Sequence, residues 1–141
     1  MAESIIIHVT GDHAGKLLER INVRFGDGSA GTRAAPPDDY LVLAYRYHDF
    51  RTEYESPDRE EIISKLGGEP SVSFQFEIRR SRSDAACDLL EDFIRHDLAG
   101  LDFVVDDMFR ILSRREVKHD PEFLDVYRYD KQARKADSPG A

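Results

Sequence analysis

The sequence predicts an α+β fold: a single two-layer domain in which an antiparallel sheet of about four strands packs against a long helix and a C-terminal helix. Three observations predict it. The segments "SIIIHV", "YLVLAYRY" and "SVSFQFEI" place their side chains with the period of a strand. A later segment, from Ser83 to about Ser113, collects its apolar residues on one side when wound at helical pitch. With 141 residues, 40% hydrophobic and 34% charged, the chain has enough apolar material for one core inside a heavily ionised exterior.

Residues 4–10 set Ile5, Ile7 and Val9 on one face and Ile6 and His8 on the other, so this strand is apolar on both sides and belongs in the middle of a sheet. "GDHAG" then turns the chain. In "KLLERINVRF", Leu17, Leu18, Ile21 and Phe25 fit a helix, whereas Ile21, Val23 and Phe25 alternate; residues 20–25 are read as strand. Residues 26–39 have no periodic apolar face and read as a long loop. In the next strand Leu41, Leu43, Tyr45 and Tyr47 share one side, and Val42, Ala44 and Arg46 the other.

Ser56-Pro57 opens a short helix with serine as N-cap; Ile62, Ile63 and Leu66 form its apolar stripe and Gly67 stops it. Residues 71–78 alternate Val72, Phe74, Phe76 and Ile78 inward against Ser71, Ser73, Gln75 and Glu77 outward, so one face of the sheet should meet water. The long helix, about 84–113, is carried by Ala86, Leu89, Leu90, Phe93, Ile94, Leu101, Val104, Val105, Met108, Ile111 and Leu112. Its phase runs through Ala99-Gly100, so one helix is expected, with any bend at Gly100; a strand at "LDFVV" is the alternative. Asp120-Pro121-Glu122 marks a further helix start, with Phe123, Leu124 and Tyr127 available to pack. Residues 1–129 then form the domain and 130–141 a flexible tail.

A net charge of -8 opposes attraction to phosphate backbones and anionic lipid and makes a basic protein the natural partner. The single cysteine, Cys87, rules out an internal disulfide; beside Asp88 it reads as an inert small hydrophobe. The N-terminus lacks a basic region followed by a long apolar one, and no apolar stretch is of membrane-spanning length, so a cytoplasmic location is expected.

His8-Val9-Thr10 resembles one half of the H-x-[ST] signature of two-histidine phosphoesterases, whose paired histidines act as acid and base on a phosphodiester. That mechanism needs a second copy, which the chain does not contain. Gly26 to Gly31 matches G-x-G-x-x-G, but Pro36-Pro37 would interrupt the helix on which a pyrophosphate must sit. The His-Asp pairs at 48–49, 96–97 and 119–120 resemble the metal-binding pair of HD phosphohydrolases, an all-helical family, whereas this chain has at least three strands. Asp97 falls near the middle of the apolar stripe, where a carboxylate must meet an arginine or be let out by a bend. "FEIRRSR" joins phenylalanines to arginines as RNA-binding strands do, but its phenylalanines point to the core and the overall charge is wrong. No metal and no cofactor are expected.

Opposite the apolar stripe, Asp84, Asp88, Glu91, Asp92, Asp102 and Asp106 form an acidic ridge, although aspartate is a poor helix former and like charges three or four apart repel. The acids of 49–61 would extend it if they fold nearby. The expected function is therefore a small acidic, non-catalytic binding module, of the inhibitor, immunity or adaptor kind, engaging a basic partner through this helix face. The alternative is a small enzyme for a phosphorylated or nucleotide ligand, with His8, Thr10, His13 and His48 at strand ends and Arg33 assisting. A third expectation is a homodimer formed by "SVSFQFEI" at a sheet edge.

Overall fold

The computed structural model describes residues 3–25, 40–47 and 50–129. Its sheet is antiparallel throughout. β1 (Glu3–Val9) lies at the centre, paired on one side with β3 (Val72–Ile78) and on the other with β4 (Val104–Asp106). β2 (Val42–Tyr47) extends the sheet beyond β3, and β5 (Ile111–Ser113) beyond β4, giving the order β2-β3-β1-β4-β5. The α+β class is as the periodicities require, with five strands rather than four.

One face of the sheet carries the larger core. α1 (Gly11–Phe25) brings Leu17 and Ile21, and α4 (Ser83–Asp92) brings Ala86, Cys87 and Leu90, against Ile5, Ile7, Phe74 and Phe76. α1 corrects the strand expected at 20–25: Leu17, Ile21 and Phe25 form its inner stripe, Phe25 packing on Phe76 and Phe93, whereas Val23 is 79% exposed. The Ile21-Val23-Phe25 alternation is coincidental within a helix.

The other face is covered in part. α2 (Phe50–Glu53) and α3 (Asp58–Leu66) close over Ile6, Val104 and Ile111 with Phe50, Tyr54 and Ile62, so the two-layer arrangement gains a third layer at this end. Ser56 does not cap α3; Pro57 holds that place without a side-chain hydrogen bond, and Asp58, Glu60 and Glu61 satisfy the helix dipole in the first turn. Gly67 ends α3 at φ 84°, a conformation glycine adopts without steric cost.

The helix expected over about 84–113 is much shorter. α4 passes into a π-helical turn, Phe93–Asp97, and Gly100 at φ 88° lies in the turn that follows, after which the chain forms β4 and β5. The strand alternative at "LDFVV" is the correct one for 104–106. The helical phase misled because Val104 faces the smaller core and Val105 the larger: a run buried on both sides has no period to read.

Asp97 meets both fates set out for a carboxylate in that stripe. The widened π turn displaces it from the core, and Arg24 grips it through two hydrogen bonds, Nε at 2.8 Å and Nη2 at 2.5 Å, while Arg20 donates to its backbone carbonyl. α5 (Arg114–Lys118) begins in a capping box: the Glu116 amide donates to Ser113 Oγ at 3.2 Å and the Ser113 amide to Glu116 Oε1 at 3.0 Å. Asp120 accepts from the Glu122 amide, but turns and a 3-10 turn at Asp125–Tyr127 follow, not an α-helix; Phe123, Leu124 and Tyr127 are buried as expected.

The dimer expected through residues 71–78 is excluded by topology, since β3 is paired with β1 on one side and β2 on the other. No helix among the described residues is long and apolar enough to cross a membrane. The loop expected at 26–39, with its glycine motif and Arg33, and the tail at 130–141 lie outside the described residues, as do His48 and Asp49.

Asp97→Ala should lower stability in urea by about 1–3 kcal/mol. Arg24→Ala should cost a similar amount, and the double variant clearly less than the sum, because both remove one interaction. Additive losses would show that the two residues act separately.

Candidate functional site

Because β1 is buried on both faces, its polar residues must be satisfied inside the protein: Ser4 Oγ accepts from Gln75 Nε2 at 2.9 Å, and His8 lies deeper. His8 is fully buried. The β1/β3 register sets Ser73 directly opposite it, with Ser73 Oγ 2.6 Å from His8 Nδ1. On the other side His8 Nε2 lies 3.0 Å from the Tyr54 hydroxyl, which donates to Asp106 Oδ2 at 2.6 Å. Tyr54 has one proton and gives it to Asp106, so it must accept from His8 Nε2–H; Nδ1 is then the acceptor for the Ser73 hydroxyl. Each member of the chain Ser73, His8, Tyr54, Asp106 is thereby satisfied with a neutral imidazole. Burial pushes the His8 pKa down from 6.5 to about 3. Burial, then the neighbouring Asp106, raises the Tyr54 phenol, and burial raises the Asp106 carboxyl.

The relay ends under the β4–β5 connection. Asp106 Oδ1 accepts from the Met108 amide at 2.8 Å, and Asp107 Oδ1 from the amides of Phe109 and Arg110 at 2.9 and 2.6 Å. Arg110 reaches back to Asp107 and across to Asp120, and Tyr127 donates to the Asp107 carbonyl at 2.6 Å. The two central residues are thus fixed by two buried aspartates. Met108 sits at φ 75°, where a two-residue hairpin normally uses glycine, a cost of about 1–3 kcal/mol. The side chains so fixed point outward: Met108 is 48% and Phe109 68% exposed, with Val126 beside them.

Phe109 stands between two clefts. The larger, about 420 Å³, runs to α3 and is lined by Asp58, Glu61, Lys65, Asp106 and Glu116. Its Lys65 is held by Glu61 and Glu116, each at 2.9 Å, and by the Ile111 carbonyl at 2.6 Å, leaving Asp58 as its open charge. The smaller, about 220 Å³, lies toward Glu122, Asp125 and Val126.

The residues of the expected acidic ridge are dispersed or paired. Asp102 has left the helix and meets Arg114 at 3.3 Å, and Asp106 is buried in β4. On α4, Arg128 binds Asp88 at 2.5 Å and Glu91 at 3.0 Å, Arg95 also binds Glu91, and Arg24 binds Asp92 at 2.8 Å; Arg128 further donates to the Asp84 carbonyl. The acids of α3 lie across the sheet from α4 and do not extend that stripe.

Of the alternative catalytic set, His8 is committed to Ser73 and Tyr54. Thr10 and His13 stand at the junction of β1 and α1, where the His13 amide donates to the Thr10 carbonyl, and His13 Nδ1 is buried without a partner. No hydrogen bond joins either to His8. His96 pairs with Asp92, and no group of three or more His, Cys, Asp or Glu among the described residues could hold a metal ion. Cys87 is buried, its thiol pushed up to about 12 by burial, which leaves no thiolate at neutral pH.

Sequence reasoning missed Tyr54, Ser73, Met108 and Phe109 as site residues. Tyr54 carried no local signal. Asp106-Asp107 between two apolar runs was a turn signal, hidden by the helical phase around it. Comparison with known proteins yields no matching family model, no matching curated protein and no matching solved structure.

Below pH 6.5 the unfolded chain protonates at His8 while the folded protein resists until about 3, so this stability is complete above 6.5 and is lost as pH falls through that window. The slope is about 1.4 kcal/mol per pH unit. Asp106 acts oppositely, since its raised pKa returns some stability as the pH approaches the carboxylate range. His8→Gln, which keeps a donor and an acceptor but cannot ionise, should flatten stability between pH 6.5 and about 5 in urea titrations. An unaltered slope would remove His8 as its source.

Proposed function

We propose that the chain is an acidic, non-catalytic protein-binding module whose anchor is the Met108-Phe109 tip, and whose partner offers an apolar cup with a basic rim. The supporting observation is the tip itself. Two large apolar side chains are held out to water by a turn that is strained at Met108 and fixed by the Asp106 and Asp107 carboxylates. Rigid aromatic anchors of this kind lose little entropy on binding and carry much of an interface's energy. The charge around the tip argues for a basic rim: Asp58 and Glu122 border the clefts beside Phe109, while Arg110 and Lys65 are engaged by acids of the same molecule.

This reading keeps the basic partner expected from the net charge and moves the contact from the α4 face to the hairpin. Asp88, Glu91 and Asp92 are poor anchors because a partner's lysines would have to displace Arg128 and Arg24. The enzyme alternative lacks comparable support, since a fully buried His8 with both ring nitrogens occupied has no face to offer a ligand.

The test is capture from the native cell with wild-type and Phe109→Ser baits at low and high salt. A basic protein held by wild type should bind the variant at least about 30-fold more weakly and weaken with salt. Met108→Gly separates binding from folding: relieving the positive φ should leave the hairpin as stable or more so, while still weakening capture. Identical capture by all three baits would overturn the proposal.

A further inference from the structure

In a chain of net charge -8, one cleft is rimmed by cations. It lies between the Phe93–Asp97 π turn and α5, measures about 690 Å³, and has a floor of Ile94, Leu98, Phe103 and Val117. Arg115 and Lys118, one helical turn apart, stand exposed on its rim. The acid of α5, Glu116, points away to Lys65, so it does not quench them. Arg114 shares the rim at 3.3 Å from Asp102, and Arg95 is fixed at the edge by the carbonyls of Val117 and Asp120, both at 2.7 Å. Arg24, Arg110 and Arg128 are consumed by pairing with acids; Arg115 and Lys118 instead border an apolar concavity. The volume is that of a small-molecule pocket, and the wall is a π-helical turn, a rare element that recurs at functional sites.

We infer that this cleft binds an amphipathic organic anion, with its apolar body against Leu98, Phe103 and Val117 and a carboxylate, sulfonate or phosphate head between Arg115 and Lys118. The site is separate from the Met108-Phe109 tip and does not depend on it.

The probe is 1-anilinonaphthalene-8-sulfonate, followed by fluorescence on the full chain at neutral pH, with the uncharged N-phenyl-1-naphthylamine as comparison. Wild type should bind the sulfonate saturably at one site and the neutral analogue at least about tenfold more weakly. The double variant Arg115→Glu/Lys118→Glu should lose about tenfold or more in affinity. Ala99→Trp, which fills the mouth from an exposed position, should lose binding without reversing charge, and Phe109→Ser should bind as wild type. Absence of saturable binding, equal affinity for the neutral analogue, indifference to both rim variants, or loss with Phe109→Ser would each overturn the assignment.

Discussion

The constraint on which the rest of the structure depends is that β1 is covered on both faces. Ile5, Ile7 and Val9 anchor the larger core, while Ile6 and His8 look the other way, and a second cover is needed for them. α2 and α3 supply it. An imidazole sealed at that depth is tolerable only when neutral and doubly hydrogen-bonded, which fixes Ser73 on one side and Tyr54 on the other. Tyr54 in turn holds Asp106, and Asp106 holds the Met108 amide. A requirement set by one polar residue in a central strand is thus passed through His8, Tyr54 and Asp106, three side chains, to the surface.

The sheet was largely legible in the sequence because its strands announce themselves by alternation or by apolar character on both sides. The central position of the first strand followed from Ile6 and His8 lying opposite Ile5 and Ile7. Legibility failed where two periods coincided. Ile21, Val23 and Phe25 satisfied a strand while belonging to α1, and Leu101 through Leu112 satisfied a helix while forming β4 and β5. Long-range partners were beyond reach: nothing near Tyr54 points to a histidine forty-six residues earlier in the chain, and nothing near Asp97 points to Arg24.

The acidic stripe shows how a wheel diagram can misjudge electrostatics. Viewed on one helix, Asp84, Asp88, Glu91 and Asp92 are a column of repulsion with no compensation in their own segment except Arg95. In three dimensions Arg128 arrives from the C-terminal side and Arg24 from α1, so the column is a seam joining three parts of the chain. Such pairs contribute modestly to stability where exposed, but they fix where the C-terminal segment and α1 lie against α4. The acidity of α4 is therefore largely spent within the molecule.

Two unequal apolar nuclei sit on opposite sides of one sheet, and they should not melt with equal ease. The lesser one is closed by two short helices and rests on a handful of side chains, Phe50, Tyr54 and Ile62 among them. A subglobal fluctuation that lifts this cap would hydrate the imidazole and slacken the tether of the β4–β5 connection while the opposite nucleus stays dry. Amide protons of α3 would then exchange through a cheaper opening than those of α1 and α4, and the mobility of the exposed methionine and phenylalanine would be governed from the far end of a buried proton wire.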